Sequence, residues 1–189
     1  MPAFLFLSAA WAQNPLFAGW TPVLEAGGGY SYVNAGIPSQ SRMGMNGFVA
    51  TGNADLSRWF GVALDLGYAR NGNALSSSHS ADLFTYMAGP VFYPVRRRHM
   101  NVYIHELFGG ARETGITYQS NGELLYGYAN KFAWAVGGGV QYRLLRSFSV
   151  RAGADYVHST FYNPNLALQY QSNIHPSVSL IYTFGTNRE

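Results

Sequence analysis

The sequence predicts an all-β fold, an eight-stranded antiparallel up-and-down barrel whose outer face meets lipid. Three observations predict it: one long alternating segment, an unusual composition, and connections that alternate between short and long. The segment Lys131-Phe-Ala-Trp-Ala-Val-Gly-Gly-Gly-Val-Gln-Tyr-Arg143 puts Phe132, Trp134, Val136, Gly138, Val140 and Tyr142 on one face. Lys131, Ala133, Ala135, Gly137, Gly139, Gln141 and Arg143 occupy the other. A period of two means an extended strand, since successive side chains point to opposite faces. The run is far longer than the roughly 5–6 residues usual in soluble proteins. One face is bulky with aromatics near both ends and the other is small or charged, as in strands with lipid outside, a polar lumen inside and aromatics at both interfaces.

Composition agrees. The 189 residues suffice for one domain. Charged residues make up 11%, against about 25% in soluble domains. Aromatics reach 16%, yet the mean hydropathy is only −0.06. Beyond the N-terminus no run approaches the ~18 apolar residues of a membrane helix. Alternation averages hydropathy towards zero, so a barrel accounts for both facts. The lack of cysteine excludes disulfides and thiolate metal sites.

The first residues suggest export. Phe4-Leu-Phe-Leu-Ser-Ala-Ala10 is apolar, and small residues at Ala10 and Ala12 frame a cleavage point before Gln13. Residues 1–12 are therefore expected to be a signal peptide, with 13–189 a single barrel domain. Met1-Pro2 carries no basic residue, so the signal is expected to be truncated or its start misassigned. An apolar tail is the plainer alternative.

Seven further segments read as strands. Residues 23–33 place Leu24, Ala26, Tyr30 and Tyr32 opposite Glu25 and Ser31. Residues 44–54 leave open whether Phe48 or Val49 faces outward. Residues 60–69 set Phe60, Val62, Leu64, Leu66 and Tyr68 against Gly61, Ala63, Asp65, Gly67 and Ala69. Residues 82–93 turn Phe84, Tyr86 and Phe92 outward. Residues 101–111 allow either a Val102/Ile104/Phe108 face or a Tyr103/Leu107 face, so either His105 or Glu106 points inward. Residues 148–157 set Phe148, Val150, Ala152, Ala154 and Tyr156 against Arg151, Gly153 and Asp155. Residues 174–184 set Ile174, Val178, Leu180, Tyr182 and Phe184 against His175, Ser177, Ser179 and Thr183. Pro90 and Pro176 fall inside these strands, and a closed barrel has no edge to hold them. Bulges or unpaired stretches are expected there.

Tight connections at Leu56–Trp59, Pro94–His99 and Leu144–Ser147 alternate with longer ones. The longer ones are about ten residues after the first strand, the Asn71–His79 stretch, about twenty residues around Tyr118 to Tyr128, and Ser159 to Gln171. Short periplasmic turns and long extracellular loops produce this rhythm, and an even strand count returns both termini to the periplasmic end.

On these residues the chain resembles the OmpA/OmpX-like eight-stranded outer-membrane barrels over nearly its whole mature length. Val178, Leu180, Tyr182 and Phe184 resemble the terminal signal by which such barrels are recognised for assembly. That signal normally ends the chain, whereas Gly185-Thr-Asn-Arg-Glu189 follows here. No peptidoglycan-binding domain follows the barrel, so no cell-wall tether is expected. The resemblance implies residence in the bacterial outer membrane and contact with lipopolysaccharide and phospholipid. It also implies assembly by the barrel machinery, as a monomer.

Several residues are candidates for function. Glu25, Asp65, Arg151 and Asp155 are expected inward at mid-strand depth, with Lys131 and Arg143 near strand ends, as a lumen charge network. An eight-stranded lumen has room for little but side chains, so a filled polar core is weighed against a conducting path. Trp59, Phe60, Tyr68, Phe132, Trp134, Tyr142, Tyr156 and Tyr182 are expected as aromatic girdles. Arg58, Arg96, Arg97, Arg98, Arg143 and Arg146 gather at the short turns and supply much of the pI of 9.2; phospholipid headgroups suit them, and solvated turns are the alternative. Nucleic acid binding is disfavoured by the export signal and the lack of a matching motif.

The triplets Gly27–Gly29 and Gly137–Gly139 lack the helix and Lys-Ser/Thr of a phosphate loop and are expected to relieve crowding. His158-Ser159-Thr160 is the single faintly enzymatic feature, since lipid A deacylases share this architecture and carry a His-x-Ser pair. Here the serine lies between the residues sharing a face, and a hydroxyl nucleophile needs a base in reach. No catalytic residue, metal ligand or cofactor is therefore expected. Tyr118, Tyr126 and Tyr128 of the longest loop suit a contact surface, with ordinary loop packing as the alternative.

The expected function is a structural or adhesion-type outer-membrane barrel with a mostly plugged lumen and loop-displayed chemistry. A small passive pore, a lipid A-modifying barrel and a soluble secreted ligand-binding barrel are the rivals.

Overall fold

The computed structural model describes residues 22–36, 42–74, 79–118, 124–163 and 166–184. These contain β1 (Val23–Ala35), β2 (Met43–Asp55), β3 (Phe60–Asn71), β4 (Ala81–Arg96), β5 (Met100–Tyr118), β6 (Leu124–Arg143), β7 (Phe148–Asn163) and β8 (Leu166–Phe184). Each strand pairs antiparallel with the next, and β8 returns to β1 with Leu24 opposite Phe184, closing the barrel. The expected signal segment 1–12 and residues 185–189 lie outside the described residues.

Side-chain size decides which face closes inward. On β6, Ala133 and Ala135 are fully buried while Phe132 and Tyr142 are 60% and 52% exposed. Small inward residues let the wall curve; large outward ones remain to meet the surroundings. The glycine triplets follow the same logic. A Cβ on Gly29 would strike Val178 O and Ser179 Cα, and one on Gly139 would strike Ala152 O and Gly153 Cα. Close approach of neighbouring backbones requires glycine at both places.

The structure settles the two open strands. Phe48 faces outward on β2, and Ile104 and Phe108 face outward on β5. His105 is therefore inside and Glu106 outside.

Two of the longer expected loops, those around Tyr118 to Tyr128 and from Ser159 to Gln171, are largely strand. The β5–β6 ladder continues to Tyr118 opposite Leu124, and β7–β8 pairing continues to Asn163 opposite Leu166. These hairpins rise beyond their neighbours: β4–β5 pairing stops at Asp82/Thr114 and β6–β7 pairing at Ala133/Ser159. Beyond the lipid both faces of a strand meet water, so the alternation that reveals a strand is lost.

Pro90 and Pro176 sit within ladders and not at bulges. Pro90 lies opposite Val62 of β3, while pairing with β5 lapses between Ala88/Phe108 and Val91/His105. Pro176 lies opposite Ala154 of β7, while pairing with β1 lapses between Ser31/Ser177 and Asn34/Ile174. Each missing N–H thus falls where a ladder rung is absent. A bulge occurs at Pro94 instead, where Phe92 and Val95 flank a register shift against β5.

The short connections mark one end, the turn end. There Leu144 and Leu145 N–H both donate to Phe148 O at 3.0 Å, and Leu56 and Ser57 N–H to Phe60 O. Tyr93 N–H to Trp59 O and Thr183 N–H to Ser147 O tie turns to the strands beside them.

Candidate functional site: the lumen and its two rims

The lumen begins, at the turn end, with a buried ion pair. Arg151 Nη2 of β7 donates to Glu25 Oε2 of β1 at 2.9 Å, across the intervening β8. Gln141, on the inward face of β6, joins both partners: its Oε1 accepts from Arg151 Nε at 3.0 Å and its Nε2 donates to Glu25 Oε1 at 2.9 Å. With its amide oxygen turned to Arg151, Asn53 accepts from both guanidinium amino groups at 2.6 Å. The guanidinium also lies 4.9 Å from the centre of the Tyr103 ring. A buried charge is tolerated only when paired and hydrogen-bonded, and this network supplies both.

A second layer lies deeper. His105 Nε2 and Asp155 Oδ1 are 2.7 Å apart. Asp65 lies within electrostatic reach of Asp155, His105 and Arg151. Asp65 Oδ1 and His175 Nε2 are buried without a hydrogen-bond partner among the described residues.

The six expected network residues therefore do not form one network. Glu25 and Arg151 pair, but near the turn end, Glu25 being the third residue of β1; the mid-strand placement is corrected for both. Asp155 pairs with histidine, not with Arg151. Lys131 faces inward opposite Ala111 towards the loop end, and Arg143 faces inward at the turn end. Sequence reasoning missed Gln141, Asn53 and His105 as partners, although the parity of β6 already placed Gln141 inward. Apolar side chains fill the remaining space: Tyr93, Met45, Leu107, Val91 and Val157 are all at most 2% exposed. Among the described residues no group of three His, Asp or Glu is placed to hold a metal ion.

The outer face carries two aromatic tiers. Near the turn end, Phe60 packs on Phe92 at 5.3 Å, Phe148 on Tyr182 at 5.1 Å, and Tyr182 on Phe184 at 4.8 Å between ring centres. Tyr142 is outward on the same side, and Trp59 is exposed in its turn beside Arg58. Towards the loop end, Phe48 packs on Tyr68, and Trp134 packs on both Tyr156 and His158. Four tyrosines of this tier reach upward to polar groups. Tyr30 donates to Asn46 at 2.5 Å, Tyr68 to Asp82 at 2.7 Å and Tyr86 to Asn130 at 3.2 Å, while Tyr156 and Ser172 are 2.7 Å apart. Amphipathic rings with a wet polar tip suit a membrane–water boundary.

Between the tiers lie Val62, Leu64, Leu66, Ile104, Val136, Val140, Val178 and Leu180, all exposed. Glu106 is the exception, facing outward between Ile104 and Phe108 and opposite Val136 of β6. An apolar exterior around a polar and tightly filled interior excludes the soluble barrel, which needs the inverse.

At the turn-end rim, Arg96 pairs with Asp55 at 2.5 Å and lies 3.7 Å from the centre of the Tyr93 ring. Arg58, Arg97, Arg98 and Arg146 lie on the turns of this end, and Arg143 ends β6. At the other rim Tyr128 is exposed and Arg112 lies 5.1 Å from its ring centre; the side chains of Tyr118 and Tyr126 lie outside the described residues. Ser159 is buried in the lumen, while His158 packs outside on Trp134, so the two point to opposite faces.

Comparison with known proteins agrees with this geometry. Ail of Yersinia pestis superposes with a TM-score of 0.61 at 16% identity, over 86% of this chain and 98% of that one. Neisserial surface protein A gives 0.62 at 13% identity, over 86% and 97%. OprG of Pseudomonas aeruginosa gives 0.53 at 11% identity, over 88% and 97%. These likenesses show the fold. No curated protein matches the sequence. The profile of the family described as "Outer membrane protein beta-barrel domain" matches residues 2–184. The chain therefore belongs to the outer membrane protein β-barrel family and is an integral protein of the bacterial outer membrane.

Proposed function

We propose that the protein is a structural, adhesion-type barrel that displays its two tall hairpins at the cell surface and conducts nothing through its lumen. One observation carries this reading: the lower lumen is closed by the Glu25–Arg151–Gln141 network with Tyr93 beside it at the turn end, and packed further up with Leu107 and Met45. Without a continuous water path, ions would have to shed their hydration against paired charges. The rising β5–β6 and β7–β8 ladders offer a rigid platform for contacts, and the description of Ail as an attachment invasion locus protein fits such a role. Purified protein in planar bilayers should give no steady single-channel current. Steady, reproducible conductance would overturn the plugged lumen and favour passive transport.

The protein is also proposed to lack lipid A-modifying activity, since His158 and Ser159 diverge across the wall. Lipid A extracted from cells expressing the barrel should match that of cells without it by mass. Its outward row Val178, Leu180, Tyr182 and Phe184 is the proposed address for the barrel assembly machinery. The barrel is proposed to act as a monomer.

A further inference from the structure

The turn-end mouth of the lumen holds a feature next to the buried ion pair, with Gln141 shared between the two. Arg97, Arg98 and His99 of the β4–β5 turn overhang a small open cup. The lumen-facing side chains of Asn101, Gln141, Arg143 and Ser149 complete its wall and floor. Backbone bonds hold the overhang in place: Arg97 N–H donates to Met100 O at 2.9 Å, and Arg143 N–H donates to His99 O at 2.8 Å.

The lining is rich in donors, and no carboxylate belongs to it. The acids of this end are already engaged, Glu25 by Arg151 and Asp55 by Arg96. At the loop end, too, Arg70 has Asp82 at 3.6 Å. Among the described residues Arg97, Arg98 and Arg143 have no such ion pair. Guanidiniums gathered around one polar cup repel each other, and a counter-anion relieves that repulsion.

We infer that this cup binds a phosphate-type oxyanion. Planar guanidinium forks match the oxygen pairs of phosphate, and the Asn101 amide and Ser149 hydroxyl add neutral donors. The site does not depend on whether the lumen conducts. Two sources share this chemistry: soluble phosphate or a phosphate ester in the periplasm, and the phosphodiester headgroup of an inner-leaflet lipid. The floor residues face the lumen, so a soluble anion reaches them directly, whereas a headgroup has to come over the rim past Arg97 and Arg98.

The test is a titration of inorganic phosphate into the full chain folded in a phosphate-free detergent, at constant ionic strength set with chloride and followed by amide NMR. Saturable shifts are expected at Asn101, Gln141 and Ser149, with binding weakened about tenfold or more in Arg143→Gln. An Arg97→Gln/Arg98→Gln variant alters exposed turn positions alone and is expected to weaken binding likewise, even if Arg143→Gln fails to fold. Arg58→Gln, outside the cup, should bind as the parent does. A parallel sample in phosphatidylglycerol nanodiscs separates the sources. Shifts of the same amides there, but not with inorganic phosphate, assign the site to a headgroup, and shifts with inorganic phosphate assign it to a soluble anion. No shift in either arm, equal shifts with chloride alone, or undiminished binding in both variants would overturn the site.

Discussion

Asp155 bonds His105 at 2.7 Å and leaves Arg151, four residues away on the same face of β7, to Glu25. Four residues along a strand span about 13 Å, so the two charges nearest in sequence are out of reach. Strand geometry thus sorts the lumen into two layers, a guanidinium–carboxylate pair below and an imidazole–carboxylate pair above.

Removing the lower pair's cation should be costly. Arg151→Ala strands Glu25 beside Gln141 in a buried site, and loss of about 3–5 kcal/mol is expected. Adding Glu25→Gln should recover part of it, because the orphaned charge goes too. Urea unfolding in lipid vesicles measures both; a loss within error for Arg151→Ala would show that water already reaches the pair.

Depth on the outer face sets a second expectation. Leu64 lies between the aromatic tiers and Phe60 within the lower one. Leu64→Arg should destabilise by about 2–4 kcal/mol, and Phe60→Arg should lose clearly less to the arginine's charge. Equal losses in the same bilayer would remove the assigned depth.

Glu106 gives the opposite sign. Its carboxylate faces the apolar band between Ile104 and Phe108. Glu106→Leu should stabilise the barrel in bilayers by roughly 1–2 kcal/mol, less than the penalty for arginine or lysine at the midplane. A destabilised variant would show that the carboxylate makes a favourable contact within the membrane.

Assembly is testable apart from folding. Phe184 is outward and half-exposed at the end of β8. Phe184→Ala should therefore still fold in detergent but accumulate poorly in the outer membrane of cells. Normal accumulation, read by membrane fractionation, would place the assembly signal elsewhere.

How much was legible from sequence depended on what each face touches. On β3 and β6 the outward rows are apolar and the inward rows small or polar, so direction followed from alternation alone. On β5 it did not. A lumen too narrow for water takes apolar fillers, and Tyr103 and Leu107 compete with Ile104 and Phe108 as an outward row; His105 and Glu106 stayed interchangeable for that reason. The tall ends of β5 to β8 were hidden because water lies on both sides of them. Among site residues, Glu25 and Arg151 were readable as inward, but their partners depend on register between strands distant in sequence. Gln141 and Arg151 meet through the β6–β7 ladder, and no local pattern encodes that match.

The seam between β1 and β8 has a kinetic consequence. It joins residues such as Thr183 and Glu25, 158 positions apart and in contact at 3.4 Å. Contacts so distant in sequence form late, because the intervening chain must be ordered first. Until they form, β1 presents a row of unpaired N–H and C=O groups that hydrocarbon cannot satisfy. A half-built sheet is therefore not a lesser version of this protein in the membrane but an unstable one. Entry into lipid and closure of the ring must coincide, and whatever shields β1 in the interval governs how fast the protein appears.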